Sequence, residues 1–255
     1  MNKGYVIMAQ NTAQTNYVEC ADALATSIKQ FNPDANVTII TTDMLPYGDL
    51  APTSDWKLIN DWQVYEASPY EYTIKLEADM YIPKNIDYFF DILKIKDVCI
   101  STNIRDYKGK LSDVRYYRGF INNNKLPDVY NAMTYFKKSE TAELFFKIVR
   151  DVFENWDVYK NSLVCNIDDV ATTDWAYSIA CALIGIEDTT MHNFKDFSMI
   201  HMKTFINNLI TDNWTNELVY ELTEPIKIQS HVITHPLHYH VKSFGKVLKE
   251  HYGRI

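Results

Sequence analysis

The chain of 255 residues is 47% hydrophobic and 23% charged, near ordinary globular composition, which predicts one domain with a substantial core and argues against disorder. A formal net charge of −8 argues against a surface built for wholesale phosphate neutralisation, because non-specific nucleic-acid affinity comes from clustered Lys and Arg. No apolar run approaches the ~18 residues a membrane span needs, and Cys20, Cys99, Cys165 and Cys181 stand apart without a CxxC pair, so the expectation is a soluble, cytoplasmic protein with reduced thiols.

Gly4 to Ala9 is a short apolar run suited to a buried strand, and a polar turn follows it. From Asn16, Tyr17, Cys20, Ala21, Leu24, Ala25, Ile28 and Phe31 fall on one helical stripe, which Asn32-Pro33 ends. Val37 to Ile40 is the next buried strand and runs into Thr41-Thr42-Asp43. This β-α-β unit presents Asn11 and Asp43 at one sheet edge. A loop rich in Pro, Gly and Asp and an amphipathic segment from Trp56 to Ala67 lead to a third strand, Tyr72 to Leu76. A short helix from Ile86 to Leu93 and a fourth strand from Asp97 to Thr102 complete an alternation that predicts a mostly parallel sheet with helices on both faces.

The character then changes. Residues 103–125 are rich in Tyr, Arg, Lys and Asn, including Arg105, Arg115, Tyr116, Tyr117 and Arg118, and read as a long polar loop or paired strands. Their interleaved cations and rings suit stacking on sugars or bases, or else form a solvated hairpin. Val129 to Phe136 reads as a strand, Ser139 as the cap of a helix to about Asn155, and Asp168 to Ile184 as a further helix. Phe197 to Lys203 is strand-like and ends in His201-x-Lys203. A tail from Glu224 carries His231, His235, His238 and His240, then a final helix whose Lys242, Lys246, Lys249 and Arg254 read as a solvated basic face.

The third strand stops at Glu77-Ala78-Asp79. Two acids one residue apart on extended backbone point to the same side, where a divalent cation and a diphosphate can be held between them. In open α/β sheets ligands gather outside the carboxyl ends of strands. The lone E-x-D triplet also has a plain reading as a solvated acidic pair, and what sets it apart is its place after a buried strand.

In this order the features resemble the GT-A nucleotide-sugar glycosyltransferases, most nearly the glycogenin-like, family 8-type pattern, over about Lys3 to Lys203. The resemblance implies an α/β, Rossmann-like GT-A domain with a C-terminal extension. It divides the chain into a nucleotide-sugar-binding half (1–102), an acceptor-side half (103–223) and the extension (224–255). Ala9 and Asn11 with Thr42 and Asp43 are then expected to hold the nucleoside, with Lys75, Lys203 and Lys242 also among the donor-binding residues. Glu77 and Asp79 match the family's Asp-x-Asp, which binds Mn2+ (or Mg2+) and the donor diphosphate; the first acid is Glu here. The family's downstream strand and helix start are matched by Tyr130 to Ser139. His201 is expected as a third metal ligand followed by Lys203. The family's His-Phe-x-Gly-x-x-Lys-Pro-Trp signature is absent, which leaves His240, followed by Lys242, as a rival ligand. Asp174, after Thr172-Thr173, matches the pair that faces sugar and acceptor, and also reads as a helix N-cap. The implied activity is transfer from a nucleoside diphosphate sugar, UDP-sugar favoured, to a hydroxyl. The style of the sequence is similar to phage-encoded members, so the acceptor divides between a hydroxymethylated pyrimidine in phage DNA, or a sugar already on it, and a glycan or lipid-linked sugar. Two other classes stay open: an inactive nucleotide-sugar-binding module, and a nucleotidyltransferase, which lacks support because the first strand has no Gly-rich phosphate loop.

Overall fold

The computed structural model describes residues 2–112, 118–165 and 168–252. Arg115, Tyr116, Tyr117 and Arg254 lie outside the described residues.

Strand β1 (Lys3–Met8) is buried on both faces: Tyr5 and Ile7 join one core and Val6 the other, as the period of two requires. Helix α1 (Tyr17–Phe31) starts where the Asn16 side chain accepts a hydrogen bond from the Glu19 backbone N–H, and it ends before Asn32-Pro33. β2 (Val37–Ile40) pairs parallel with β1, Ile40 beside Met8. The predicted amphipathic segment is a 3-10 stretch over Lys57–Gln63 running into α2 (Val64–Ala67). β3 (Tyr72–Glu77) lies on the other side of β1, parallel, with Glu77 beside Met8. Thus the carboxyl ends of the first three strands share one edge.

After β3 the chain turns through Ala78-Asp79 into β4 (Met80–Tyr81), then α3 (Tyr88–Leu93), β5 (Val98–Ser101) and β6 (Asn103–Arg105). The region expected as a polar loop or paired strands contains, in its described part, β6, a bridge from Arg105 to Leu111 and the short helix α4 (Gly119–Asn123). β7 (Tyr130–Lys137) slots between β3 and β5, antiparallel to both, and gives the order β2-β1-β3-β7-β5. This is the mostly parallel sheet expected, with one reversed strand inside it. α5 (Glu140–Glu154) is capped by Ser139, which accepts from the Ala142 N–H, and covers one face with α6 (Trp156–Ser162) and α7 (Thr173–Ile184). α7 begins five residues later than the sequence suggests, because Thr172 is the cap, accepting from the Trp175 N–H, while the earlier Asp168 accepts from the Trp175 indole instead.

The chain continues through α8 (Ile186–Thr189), β8 (Ser198–His201), α9 (Thr204–Asn207), and the strand pieces β9 (Tyr220–Glu221), β10 (Lys227–Ile228) and β11 (His231–Val232). β12 (Leu237–His238) then enters a second sheet, order β4-β12-β8-β6, antiparallel to β4 and parallel to β8. His238 therefore stands beside Met80 on one side and His201 on the other. The last helix, α10 (Lys242–Tyr252), packs on α1 through Gly245: a Cβ there would lie 2.8 Å from Cys20 Sγ and from the Tyr239 hydroxyl. The tail is in this way woven into the same body as the strand that carries the acids.

Candidate metal centre and donor cleft

A cleft of about 510 Å3 opens at the shared edge, the size range of small-molecule sites. Two sheets build its chemistry. The acids arrive on the end of β3 and the turn into β4; the imidazoles arrive on β8, β12 and the turn after it. The register of β12 fixes the meeting, and the Tyr239 N–H donates to the Asp79 carbonyl at 3.1 Å to lock it.

At the centre, His238 Nε2 lies 3.1 Å from Glu77 Oε2 and 3.2 Å from Asp79 Oδ2. His240 Nδ1 is 4.0 Å from the same Asp79 oxygen, and its Nε2 is 3.3 Å from His201 Nδ1. The Lys242 ammonium rests directly on Asp79 Oδ2, and the Asn131 amide donates to Glu77 Oε1 at 3.1 Å. Burial alone would raise the Asp79 carboxyl, but the charges of His238 and Lys242 outweigh it and hold the group well below the usual carboxylate range. Burial, together with neighbouring positive charge, pushes the imidazoles of His201 and His240 well down, so both are neutral, the ligating form, at neutral pH. His240 has a left-handed backbone, φ +58°, which a non-glycine residue adopts only when its surroundings hold it there. That kink carries the chain from His240 to Lys242.

The donor set fits a divalent ion. Glu77, Asp79 and His238 bring ligand atoms within 4.8 Å of one another, as do His201, His238 and His240. The Lys242 ammonium already stands where positive charge is wanted, and Nδ1 of the buried His238 has no hydrogen-bond partner among the described residues. Carboxylate with imidazole is a donor set for Mn2+ and its neighbours.

Of the residues expected from sequence, Glu77, Asp79, His201, His240, Lys203, Lys242 and Asp174 all line this cleft. Ala9, Asn11, Thr42, Asp43 and Lys75 do not. Ala9 is buried and bonds its N–H to the Ile40 carbonyl. The Asn11 side chain accepts from the Val18 N–H at the start of α1, and Asp43 is exposed, its carboxyl lowered by the hydrogen bond from Thr41. Gln10 and Thr12, beside them in sequence, line the cleft in their place. Lys75 shares the face of Glu77 but lies one pleat deeper in the sheet. It is 0% exposed and paired to Asp61 at 2.7 Å, with the Tyr177 hydroxyl donating to the other Asp61 oxygen at 2.6 Å. It underpins Asp61, which does line the cleft.

Asp174 is not the cap of α7 but sits in its first turn, 3.0 Å from the guanidinium of Arg118. Arg118 is 1% exposed, bridges to Asp128 at 2.8 Å and lies over the Tyr130 ring. Arg105 is engaged with the Gly109 and Lys195 carbonyls and the Ser198 hydroxyl. Both guanidiniums are engaged by the protein itself, Arg118 at the cleft lining and Arg105 in a hairpin closed by its bridge to Leu111.

His238 was not singled out by sequence reasoning, although it touches both acids. The signal was present: His238-x-His240 on extended backbone sends two rings to one side. Trp56, half-exposed at the cleft wall beside Asp55, was likewise passed over.

No protein-family model matches the chain, and no curated protein does. Solved structures do. The galactosyltransferase LgtC, crystallised with donor and acceptor sugar analogues, aligns over 99% of this chain and 96% of its own at 11% identity and TM-score 0.51. An active-site mutant of LgtC aligns over 98% and 95% at 11% identity and TM-score 0.55. The fold is that of the GT-A glycosyltransferases. The glycosyltransferase GlyE of Streptococcus pneumoniae TIGR4 matches 99% of this chain at 10% identity and TM-score 0.53, and the chain spans 60% of it. The mostly parallel sheet is therefore the GT-A fold that the sequence resemblance implies. No helix among the described residues is long and apolar enough to cross a membrane.

Proposed function

We propose that this protein transfers a sugar from a nucleoside diphosphate sugar, UDP-sugar first among them, to an acceptor hydroxyl, with a divalent ion held by Glu77, Asp79 and His238. The observation that carries the reading is the convergence of those three ligands with Lys242 at the strand ends of a GT-A sheet. Bound there, Mn2+ (or Mg2+) supplies Lewis-acid neutralisation of the departing diphosphate.

The chain's own residues do the rest. Lys242 neutralises Asp79, and as a half-buried cation lining the cleft it would offer its charge to the diphosphate if a metal took its place on Asp79. Lys203, half-buried at the same cleft, adds a second cation for the leaving group. Asn131 orients Glu77. Asp174, held by Arg118, lines the cleft and would meet the hydroxyls of a sugar bound there. Transfer breaks the bond from the anomeric carbon to the phosphate oxygen, forms the bond to the acceptor oxygen and releases the hydroxyl proton.

The wall at Asp55, Trp56 and Asp174 combines a ring with carboxylates, which suits a sugar acceptor. The other acceptor that the sequence suggests, a hydroxymethylated pyrimidine in DNA, would declare itself if hydroxymethylcytosine DNA but not plain DNA stimulates UDP release. A thermal-shift screen of nucleotide sugars with and without Mn2+ tests donor binding, since a ligand of the native state raises apparent stability. Binding with no UDP release on any acceptor would leave a binding module, and pyrophosphate release would point to nucleotidyl transfer.

A further inference from the structure

The acid pair accounts for only one side of His238. On its other side stand His201 and His240, and the three rings bring one nitrogen each within 4.8 Å of one another. We propose that His201, His238 and His240 form a second, all-nitrogen metal position, which takes a borderline divalent ion of the Zn2+, Co2+ or Ni2+ kind without any nucleotide.

The geometry points there in several independent ways. His201 Nδ1 and His240 Nε2 are 3.3 Å apart. Two nitrogens bound to one tetrahedral ion at 2.0–2.1 Å are separated by about 3.3 Å. The rings of His201 and His240 stand at 87° with centroids 4.5 Å apart. His238 still has one nitrogen to give, because Nε2 faces the acids, whereas Nδ1 is buried with no hydrogen-bond partner among the described residues. A buried ring nitrogen without a partner costs free energy unless something satisfies it. The backbone contributes as well. His201 and His238 are register neighbours on parallel strands, and His240 is held in the left-handed region that turns its ring back toward them. The Asn207 amide donates to the His201 carbonyl at 2.8 Å and fixes the strand end behind the ring.

Ligand chemistry separates this position from its neighbour. Imidazole favours Zn2+, Co2+ and Ni2+, while Mg2+ demands oxygen and keeps its waters. The two triads share His238, so an ion at the nitrogen position fixes the ring that also faces Glu77 and Asp79. The proposal does not depend on sugar transfer, because it concerns a metal bound by the free protein.

The test is a titration of the metal-free full-length protein with Co2+, followed by its visible absorption, with no nucleotide present. The expected result is a saturable d–d spectrum that a large excess of Mg2+ leaves in place. His201→Gln and His240→Gln, which leave Glu77, Asp79 and His238 intact, should each weaken Co2+ binding by about tenfold or more. X-ray absorption of the Co2+-loaded parent keeps the question decidable if a variant fails to fold: three imidazole ligands support the position, and fewer overturn it. No Co2+ binding, or displacement by Mg2+, or binding indifferent to both variants, also overturns it. Failure here leaves donor hydrolysis with Mn2+ untouched, and loss of donor hydrolysis leaves the Co2+ spectrum untouched, so the two readings fall separately.

Discussion

Two lysine–aspartate pairs lie within one strand and one turn of each other, and they are built for opposite ends. Lys75 is sealed: it is 0% exposed, its Asp61 partner accepts also from Tyr177, and the ammonium reaches the Asn131 carbonyl. Lys242 and Asp79 are open: the lysine is 32% exposed, the carboxylate is shared with His238, and the cluster around it holds a ring nitrogen with nothing to bond among the described residues. A closed network serves architecture, since every charge has its partner. An open one is costly as architecture and useful as a site.

Stability measurements should separate the two pairs. Lys75→Met leaves Asp61 buried without its counter-charge and is expected to lower unfolding stability by about 3–5 kcal/mol, read by urea denaturation. The same change at Lys242 should cost roughly half as much or less, because the lysine is partly solvated and Asp79 keeps His238, yet it should weaken donor binding while Lys75→Met, in the folded fraction, does not. Equal stability losses at the two sites would erase the distinction.

Smaller effects sharpen it. Gly245→Val forces a branched side chain into Cys20 and Tyr239, which costs about 1–3 kcal/mol and tilts α10 off α1. Because α10 begins at Lys242, donor affinity should fall with it; a variant that melts earlier but binds the donor as before would detach the lysine from the helix packing. Ser139→Ala removes only the cap of α5, on the architectural side of the sheet, and should cost about 1 kcal/mol with no change in donor binding.

Much of this was legible in the sequence, and the reasons are local. β1, α1, β2 and β3 could be bounded almost to the residue because each is a short, largely apolar run or stripe with a polar stop. Ser139 announced its helix for the same reason. The acids at Glu77 and Asp79 were visible because a strand end is a local event. What stayed hidden depends on pairings far along the chain. The reversal of β7 between β3 and β5 leaves no mark in its own residues. His238 could be told from the other tail histidines only by the register that sets it beside His201 and Met80. Lys75 looked like a donor ligand because it precedes Glu77 by two residues and so shares its face, but Asp61 and Tyr177, from distant segments, close over it. Asn11 and Asp43 sit at the right edge, and their side chains are spent on their own turns.

The most direct measurement of the central claim is Mn2+-dependent UDP release from a UDP-sugar by the parent protein and by Asp79→Ala. Asp79 stands between the two sheets at the point where charge must be neutralised, so its removal is expected to lower release by about a hundredfold or more while the protein stays folded. Release at the parent rate from a folded Asp79→Ala protein would contradict the account.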